Sequence, residues 1–266
     1  MVSTDFFSSD LEQLRDLQPA DWGDLVPRFR YFIDSPFCKP IKITERGQVI
    51  AIGTSMFHKD TAWLACIVVH PDHRKKGLGN TITKELIDGI DRKHYPTIYL
   101  DATDFGYPVY KKLGFQVETE YAHYIRNQKT EGQVLSENLL EYEEKFSQEV
   151  LELDRKVSGE DRSGILNDFI DSAMLYVNNS KVEGFYIPGW GDGPVLAVTD
   201  VAGTELMKLR IQTYDNAVFP VENTISADFV TDNNFVFRKT SRRMYLGPKR
   251  VWQPRNLCNW ISGQLG

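Results

Sequence analysis

The sequence predicts a mixed α/β fold over residues 1–130, with a mostly antiparallel sheet flanked by helices, and a second, smaller α/β domain over residues 131–266. Three observations carry that prediction. Branched residues run in short strand-like stretches before residue 70, helical spacing begins at Leu78, and the order of strands and helices recurs more loosely in the second half.

Pro19-Ala20-Asp21 starts a helix from Asp21 to about Ile33, which Pro36 and Pro40 end because their rings cannot continue it. Ile41 to Glu45 and Gln48 to Phe57 are strands, and Arg46-Gly47 between them makes a hairpin. Thr61 to Val69 extends the meander after the turn His58-Lys59-Asp60. Leu78, Ile82, Leu86, Ile87 and Ile90 then share one helical face. A short strand at Thr97 to Leu100, a short helix at Tyr107 to Leu113 and a strand at Phe115 to Ile125 follow. Hairpins of this kind exclude a purely parallel sheet.

Asn127 to Gln133 is polar and contains Gly132, which sets the domain boundary near residue 130. Beyond it, Leu135 to Leu153 reads as an acidic helix and Arg162 to Ile170 as another. Strands are expected near Ala173 to Val177, Val182 to Pro188 and Pro194 to Thr199. Helices at Val201 to Gln212 and Thr224 to Asp232 and a strand at Phe235 to Leu246 complete the order.

With 266 residues, 41% of them hydrophobic, the chain is long enough to bury a sizeable core. A formal net charge of -6 opposes a large nucleic-acid footprint, so an anionic ligand must be met by local basic residues. No stretch approaches the ~18 uninterrupted apolar residues of a membrane span. Met1 to Asp10 lacks both a basic leader and an apolar segment, and a cytoplasmic location is the default expectation. Cys38, Cys66 and Cys258 show no CxxC spacing, so neither a disulfide framework nor a metal site is expected. Cys66 lies in an apolar run and reads as a small packing residue.

The segment with the clearest chemistry is Ile67-Val68-Val69-His70-Pro71-Asp72-His73-Arg74-Lys75-Lys76-Gly77-Leu78-Gly79-Asn80. An apolar strand delivers the chain into a basic, glycine-bearing turn at a helix start. Glycine permits close backbone approach, and the first helical amides have no intrahelical partner and sit at the positive end of the helix dipole. Together they suit a pyrophosphate. The pattern Arg74, Gly77 and Gly79 resembles the R/Q-x-x-G-x-G/A turn of the GNAT superfamily of acyl-CoA-dependent N-acetyltransferases. Tyr110-Lys111-Lys112-Leu113-Gly114-Phe115 resembles the same family's Y-x-x-x-G-F element.

That resemblance covers roughly Leu11 to Arg126. It implies a GNAT-type fold, acetyl-CoA as acyl donor, a small primary amine as acceptor, and no metal. It places Ile67, Val68 and Val69 along the pantetheine arm, and Arg74 to Asn80, Thr103 and Tyr110 around the cofactor. Tyr110 would be the general acid that protonates the departing thiolate, since a phenol stays protonated at neutral pH. Many members carry asparagine where Thr103 stands, and the strand Trp63 to Val69 lacks the familiar glutamate; a carboxylate or an ordered water chain would then serve as base, with Asp101 the leading candidate. Backbone N–H groups near Val69 would polarise the thioester carbonyl.

The whole chain also resembles GNAT proteins with an additional acetyltransferase-like domain at the C-terminus. Leu100-Asp101-Ala102-Thr103, the stretch from Leu153-Asp154 to Gly159-Glu160-Asp161-Arg162, and the stretch from Asn234-Phe235 to Arg243-Met244-Tyr245-Leu246-Gly247 carry that longer match. The second half has Thr199-Asp200-Val201-Ala202-Gly203 where a cradle would fall, so it is expected to lack a CoA site of its own. Tyr186, Trp190 and Asp192, around a glycine-rich loop, are candidates for the acceptor side. Acetylation of a protein or peptide amine, and a non-catalytic acyl-CoA sensor, are the alternative readings.

Overall fold

The expected meander is present. The computed structural model describes residues 3–19, 22–128 and 133–263. Contacts divide the chain into two units, Met1–Gln116 with Met244–Pro248, and Val117–Arg243 with Lys249–Gly266. The division falls at Gln116 and not near residue 130, because the strand that starts there pairs over Tyr121 to Ile125 with a strand of the second unit.

The first unit contains β1 (Thr4–Asp5), α1 (Leu14–Leu17), α2 (Leu25–Asp34), β2 (Cys38–Glu45), β3 (Gln48–Phe57), β4 (Thr61–Val69), α3 (Leu78–Asp88), β5 (Thr97–Ala102) and α4 (Tyr107–Lys112). Helix α2 starts at Leu25, where Asp24 Oδ1 accepts from the Val26 amide at 2.9 Å; Asp21, the expected start, lies outside the described residues. Strands β1 to β4 pair antiparallel in sequence order, and β5 joins β4 in parallel. Leu78, Ile82 and Leu86 of α3 are buried, as their spacing requires, and pack against the sheet. Gly53 of β3 makes the approach possible: a Cβ there would stand 2.7 Å from Leu86 Cδ1. Met244–Pro248 close the unit, with Pro248 O accepting from Thr97 Oγ1 at 2.7 Å.

The second unit contains β6 (Gln116–Arg126, from Val117 on), β7 (Leu139–Glu141), α5 (Ser147–Ser158), α6 (Ser163–Leu166), β8 (Met174–Asn178), β9 (Lys181–Tyr186), β10 (Val195–Ala197), α7 (Asp200–Arg210), β11 (Asn216–Pro220), α8 (Thr224–Asp232), β12 (Phe235–Leu246, up to Arg243) and β13 (Leu257–Asn259). One sheet runs β13-β10-β9-β8-β7, all antiparallel, while β6 lies between β11 and β12.

Three expectations change here. Leu135 to Leu153 is not one helix: Leu139–Glu141 pairs with β8 as an edge strand, and the helix runs over Ser147–Ser158 to Gly159 at φ +73°. Its buried Val150, Leu153 and Val157 have helical spacing, which the stretch before Ser147 lacks. The helix expected over Arg162 to Ile170 shrinks to Ser163–Leu166, followed by a 3-10 turn at Ile170–Ser172. Strands β11 and β13 were too short to stand out in the sequence.

Two of the three stretches that carry the longer resemblance, Leu153 to Arg162 and Asn234 to Gly247, meet in one buried ionic network. Asp154 takes both Arg162 Nη2, at 2.5 Å, and Arg162 Nε, at 3.2 Å. Arg243 bonds Glu118 Oε2 at 2.7 Å and Glu160 Oε1 at 3.2 Å. Among the described residues no helix is long and apolar enough to cross a membrane, and no group of three or more His, Cys, Asp or Glu residues could hold a metal ion.

Burial pushes the Cys66 thiol up to about 12, against a smaller lowering from Arg28, and the Cys258 thiol up to about 11. A thiolate-selective reagent is therefore expected to modify only half-buried Cys38 in the native protein, and all three cysteines after denaturation. Mass spectrometry of the labelled chain reads the outcome.

Candidate active site

In the first unit the parallel pair of β4 and β5 opens early. Its register runs Thr61↔Thr97, Ala62↔Ile98 and Trp63↔Tyr99, and there it stops. Leu64 to Val69 and Leu100 to Ala102 do not continue that ladder with each other, so the two strands part beyond Trp63 and Tyr99.

Strand β4 also carries an irregularity that its composition conceals. Its register against β3 passes from Ile52↔Val68 to Thr54↔Ala65, which sets Cys66 and Ile67 opposite the single residue Gly53. This is a β-bulge, which leaves one residue out of the ladder and re-aims its neighbours. Cys66 adopts φ +50° to make it, an unusual conformation for a residue with a Cβ. The bulge lies next to Ile67, Val68 and Val69, the residues expected along the cofactor arm.

Beyond β4, Pro71–His73 forms a 3-10 turn, and His70 Nδ1 accepts from the Asp72 amide at 3.3 Å. Lys75 at φ +59° and Gly77 at φ +83° then reverse the chain into α3. Gly77 is the N-cap, and no side chain caps the helix. The first α-type bond runs from the Thr81 amide to Gly77 O at 3.1 Å, so the amides of Leu78, Gly79 and Asn80 have no intrahelical partner. A Cβ on Gly77 would meet nothing within 4 Å, and one on Gly79 only Val69 Cγ2 at 4.0 Å. The face above these amides is open. Arg74, Lys75 and Lys76 are exposed around it, and Arg74 Nε also donates to Val69 O at 3.1 Å, tying the turn to the end of β4. Open amides, a helix dipole and three cations fit a diphosphate.

The corresponding helix start in the second unit differs. Thr199 Oγ1 accepts from the Ala202 amide at 3.3 Å and donates to Glu183 Oε2 at 2.8 Å, so α7 is capped by its own side chain and has a carboxylate beside it.

Asp101 at the end of β5, Thr103 in the turn after it and Tyr110 on α4 fall in one stretch of the first unit. Thr103 Oγ1 accepts from the Gly106 amide at 3.3 Å and Thr103 O accepts from the Tyr107 amide at 2.9 Å, which fixes the turn that launches α4. Tyr110 is 8% exposed, with its ring edge to Phe115. Burial raises its phenol above the usual range, and the negative charge of Asp101 raises it further. The Asp101 Oδ1 atom is itself buried.

Gly106 sets the position of the tyrosine: a Cβ there would lie 2.6 Å from Tyr110 Cε2 and 3.2 Å from Tyr110 Oη. Gly106→Ala is expected to displace the ring, destabilise the fold by an overpacking cost of about 1–3 kcal/mol, and so lower the melting temperature, and reduce kcat about tenfold. Thermal melts and steady-state rates check both, and acetyl-CoA affinity should hold. Gly53, the Cys66 bulge and Gly106 escape sequence reading because their roles depend on what packs across from them. Only the closeness of Gly106 to the tyrosine motif hints at one.

Tyr186, Trp190 and Asp192 sit elsewhere, within the second unit. Tyr186 and Trp190 are in its core, at 3% and 0% exposure. Asp192 is held through its amide on Ile261 O at 2.6 Å and its carboxylate on Trp260 Nε1 at 3.0 Å, while buried Arg210 grips the carbonyls of Asp192 and Gly193. The loop is a clamped turn and presents neither aromatic ring to solvent.

Two family models match the chain: one described as FR47-like protein over residues 43–124, the other as an acetyltransferase (GNAT) domain over residues 150–257. Among curated proteins, the ribosomal protein bS18-alanine N-acetyltransferase of Escherichia coli K12 is 28% identical over 86 residues, 31% of this chain and 58% of that one. The chain thus spans little more than half the length of that relative. Among solved structures, a proposed acetyltransferase from Pyrococcus horikoshii superposes with TM-score 0.85 at 20% identity, covering 100% of this chain and 95% of the other. A GCN5-related N-acetyltransferase from Anabaena variabilis does so with TM-score 0.57 at 12% identity, covering 92% and 72%. The whole-length likeness shows a shared fold.

Proposed function

Because the chain belongs to the GNAT acetyltransferase family, with a family-like region in each half, we propose that its first unit transfers the acetyl group of acetyl-CoA to a primary amine of a small molecule. One observation carries this reading. The parted ends of β4 and β5, beyond the Trp63↔Tyr99 pair, lie in the same unit as an uncapped, cation-ringed helix start and a buried phenol.

The amides of Leu78, Gly79 and Asn80, with Lys75 and Lys76, hold the diphosphate, and Ile67 to Val69 align the arm that ends in the thioester. Acetyl-CoA supplies an activated acyl carbon. The amine forms the new C–N bond there, the C–S bond breaks, Asp101 takes the proton the nitrogen loses, and Tyr110 gives its proton to sulfur. Burial holds the Tyr110 phenol protonated until negative charge develops on the sulfur. Main-chain donors beside the Cys66 bulge stabilise the carbonyl oxygen, which costs no reorganisation during the reaction. The second unit holds no CoA of its own, since the first turn of α7 is already capped.

For the acceptor, a fungal glucosamine N-acetyltransferase region shares the fold over 92% of this chain with TM-score 0.66 at 10% identity, and an amino sugar is the acceptor class we infer. The bS18-alanine relative favours a second reading, an N-terminal peptide amine. Thiol release from acetyl-CoA in the presence of glucosamine, or of a peptide beginning with alanine, separates the two. Release with the sugar alone supports the proposal, and release with the peptide alone replaces it. Tight acetyl-CoA binding without turnover on any amine makes the protein a sensor.

A further inference from the structure

Helix α2 buries Leu25, Phe29 and Phe32. Arg28 stands three residues after Leu25 and four before Phe32, on the flank of that inner face, while Arg30 lies on the opposite face and is exposed. Half-buried, Arg28 reaches the sheet, where its guanidinium hydrogen-bonds the thiol of Cys66. Cys66 belongs to the β-bulge of β4, beside the main-chain donors proposed for the thioester carbonyl. Helix and bulge therefore bring a permanent positive charge to the edge of the acyl-transfer site.

Nothing among the described residues neutralises that charge. Burial holds the Cys66 thiol protonated, so the sulfur is a neutral and weak acceptor. Asp24, one helical turn earlier, is turned to its own helix, where Oδ1 accepts from the Val26 amide at 2.9 Å. Arg28 forms no ion pair among the described residues. The contrast with the other arginines is sharp. Each one that is buried or half-buried among the described residues, namely Arg126, Arg162, Arg210, Arg242, Arg243 and Arg250, holds a carboxylate or a main-chain carbonyl. A guanidinium has five donors, no acceptor, and a planar fork that matches two oxygens of a carboxylate or a phosphate. At the edge of a reaction site, such a group selects for an anion on the molecule that enters.

Given the acyl transfer proposed above, on which this rests, we infer that the acceptor is an acidic amino sugar, whose phosphate or carboxylate is received by Arg28 while its amine faces the thioester beside the Cys66 bulge. The thiol keeps the guanidinium in place until the anion arrives. Holding the acceptor at its acid group and at its amine fixes the line along which the nitrogen approaches the acyl carbon. The acid group itself takes no part in bond making.

Thiol release from acetyl-CoA by the full chain, with glucosamine, glucosamine 6-phosphate and glucosaminate as acceptors, tests this. At least one acidic amine is expected to exceed glucosamine in kcat/KM by about tenfold or more, as a charge-assisted pair supplies. The phosphate and carboxylate arms tell which acid the site takes. Arg28→Gln should raise KM for that acceptor at least about tenfold more than for glucosamine, while acetyl-CoA affinity holds. Arg28→Lys, which keeps the charge and loses the fork, should lose only part of the preference. The inference is overturned if glucosamine is used as well as both acidic amines, or if Arg28→Gln slows all three alike, which would put the guanidinium on the thioester oxygen instead. Acyl transfer stands in either case. No release from wild type with any amine overturns acyl transfer itself, and this inference with it. Should Arg28→Gln not fold, Arg28→Lys decides: a KM for the acidic acceptor that rises no more than that for glucosamine overturns it.

Discussion

Gly77→Val is expected to weaken acetyl-CoA binding by roughly 30- to 150-fold, an energetic loss of about 2–3 kcal/mol. The reason lies in the backbone and not in space. Gly77 sits at φ +83° with nothing within 4 Å of where its Cβ would be, so a larger side chain meets no obstacle. A β-branched residue nevertheless resists the left-handed region, and the turn relieves that strain by changing its own dihedrals. Because Gly77 is the N-cap of α3 and no side chain caps it, a changed turn re-aims the amides of Leu78, Gly79 and Asn80 directly. Asparagine tolerates the left-handed region better, so Gly77→Asn should keep most of the affinity. Calorimetry on both variants measures the ordering; full affinity in Gly77→Val would move the diphosphate elsewhere. The helix should survive, since its buried Leu78, Ile82 and Leu86 are unaffected.

What could be read from sequence was what depends on local order. The meander, the helical face from Leu78, the basic turn and the Tyr110 element are each written within a dozen residues, and the structure has strands and helices at those places. The basic turn proposed as the diphosphate cradle was legible because glycine and lysine declare their chemistry wherever they stand. The bulge was not: Cys66 looks like any small apolar strand residue, and only its partner Gly53, thirteen positions upstream and facing Leu86, shows why the strand deforms there. The edge strand Leu139–Glu141 was hidden for a related reason, since pairing with β8 more than thirty residues later decides it. Trp190 misled in the opposite direction. An aromatic residue flanked by glycines suggests an exposed loop, but Arg210 draws that loop's carbonyls inward and the indole ring follows into the core.

Tyr110→Phe is expected to lower kcat about 10²- to 10⁴-fold while leaving acetyl-CoA affinity within about twofold of wild type. Phenylalanine keeps the ring that rests against Gly106 and meets Phe115 edge-on, so the variant removes the hydroxyl and little else. Loss of an acid that acts only as the C–S bond breaks changes kcat without changing ground-state binding. A second readout does not pass through catalysis. Burial, reinforced by the Asp101 charge, raises the folded phenol above the value it has when unfolded, about 10. The neutral phenol therefore contributes its full share of stability below about pH 10, and that share is lost as pH rises beyond it, because the unfolded chain ionises first. Wild type should lose stability more steeply than Tyr110→Phe above that pH, in denaturant melts compared across alkaline buffers. Parallel alkaline curves would mean that the phenol titrates as if exposed, and a hydroxyl in that environment would not be held protonated for transfer to sulfur.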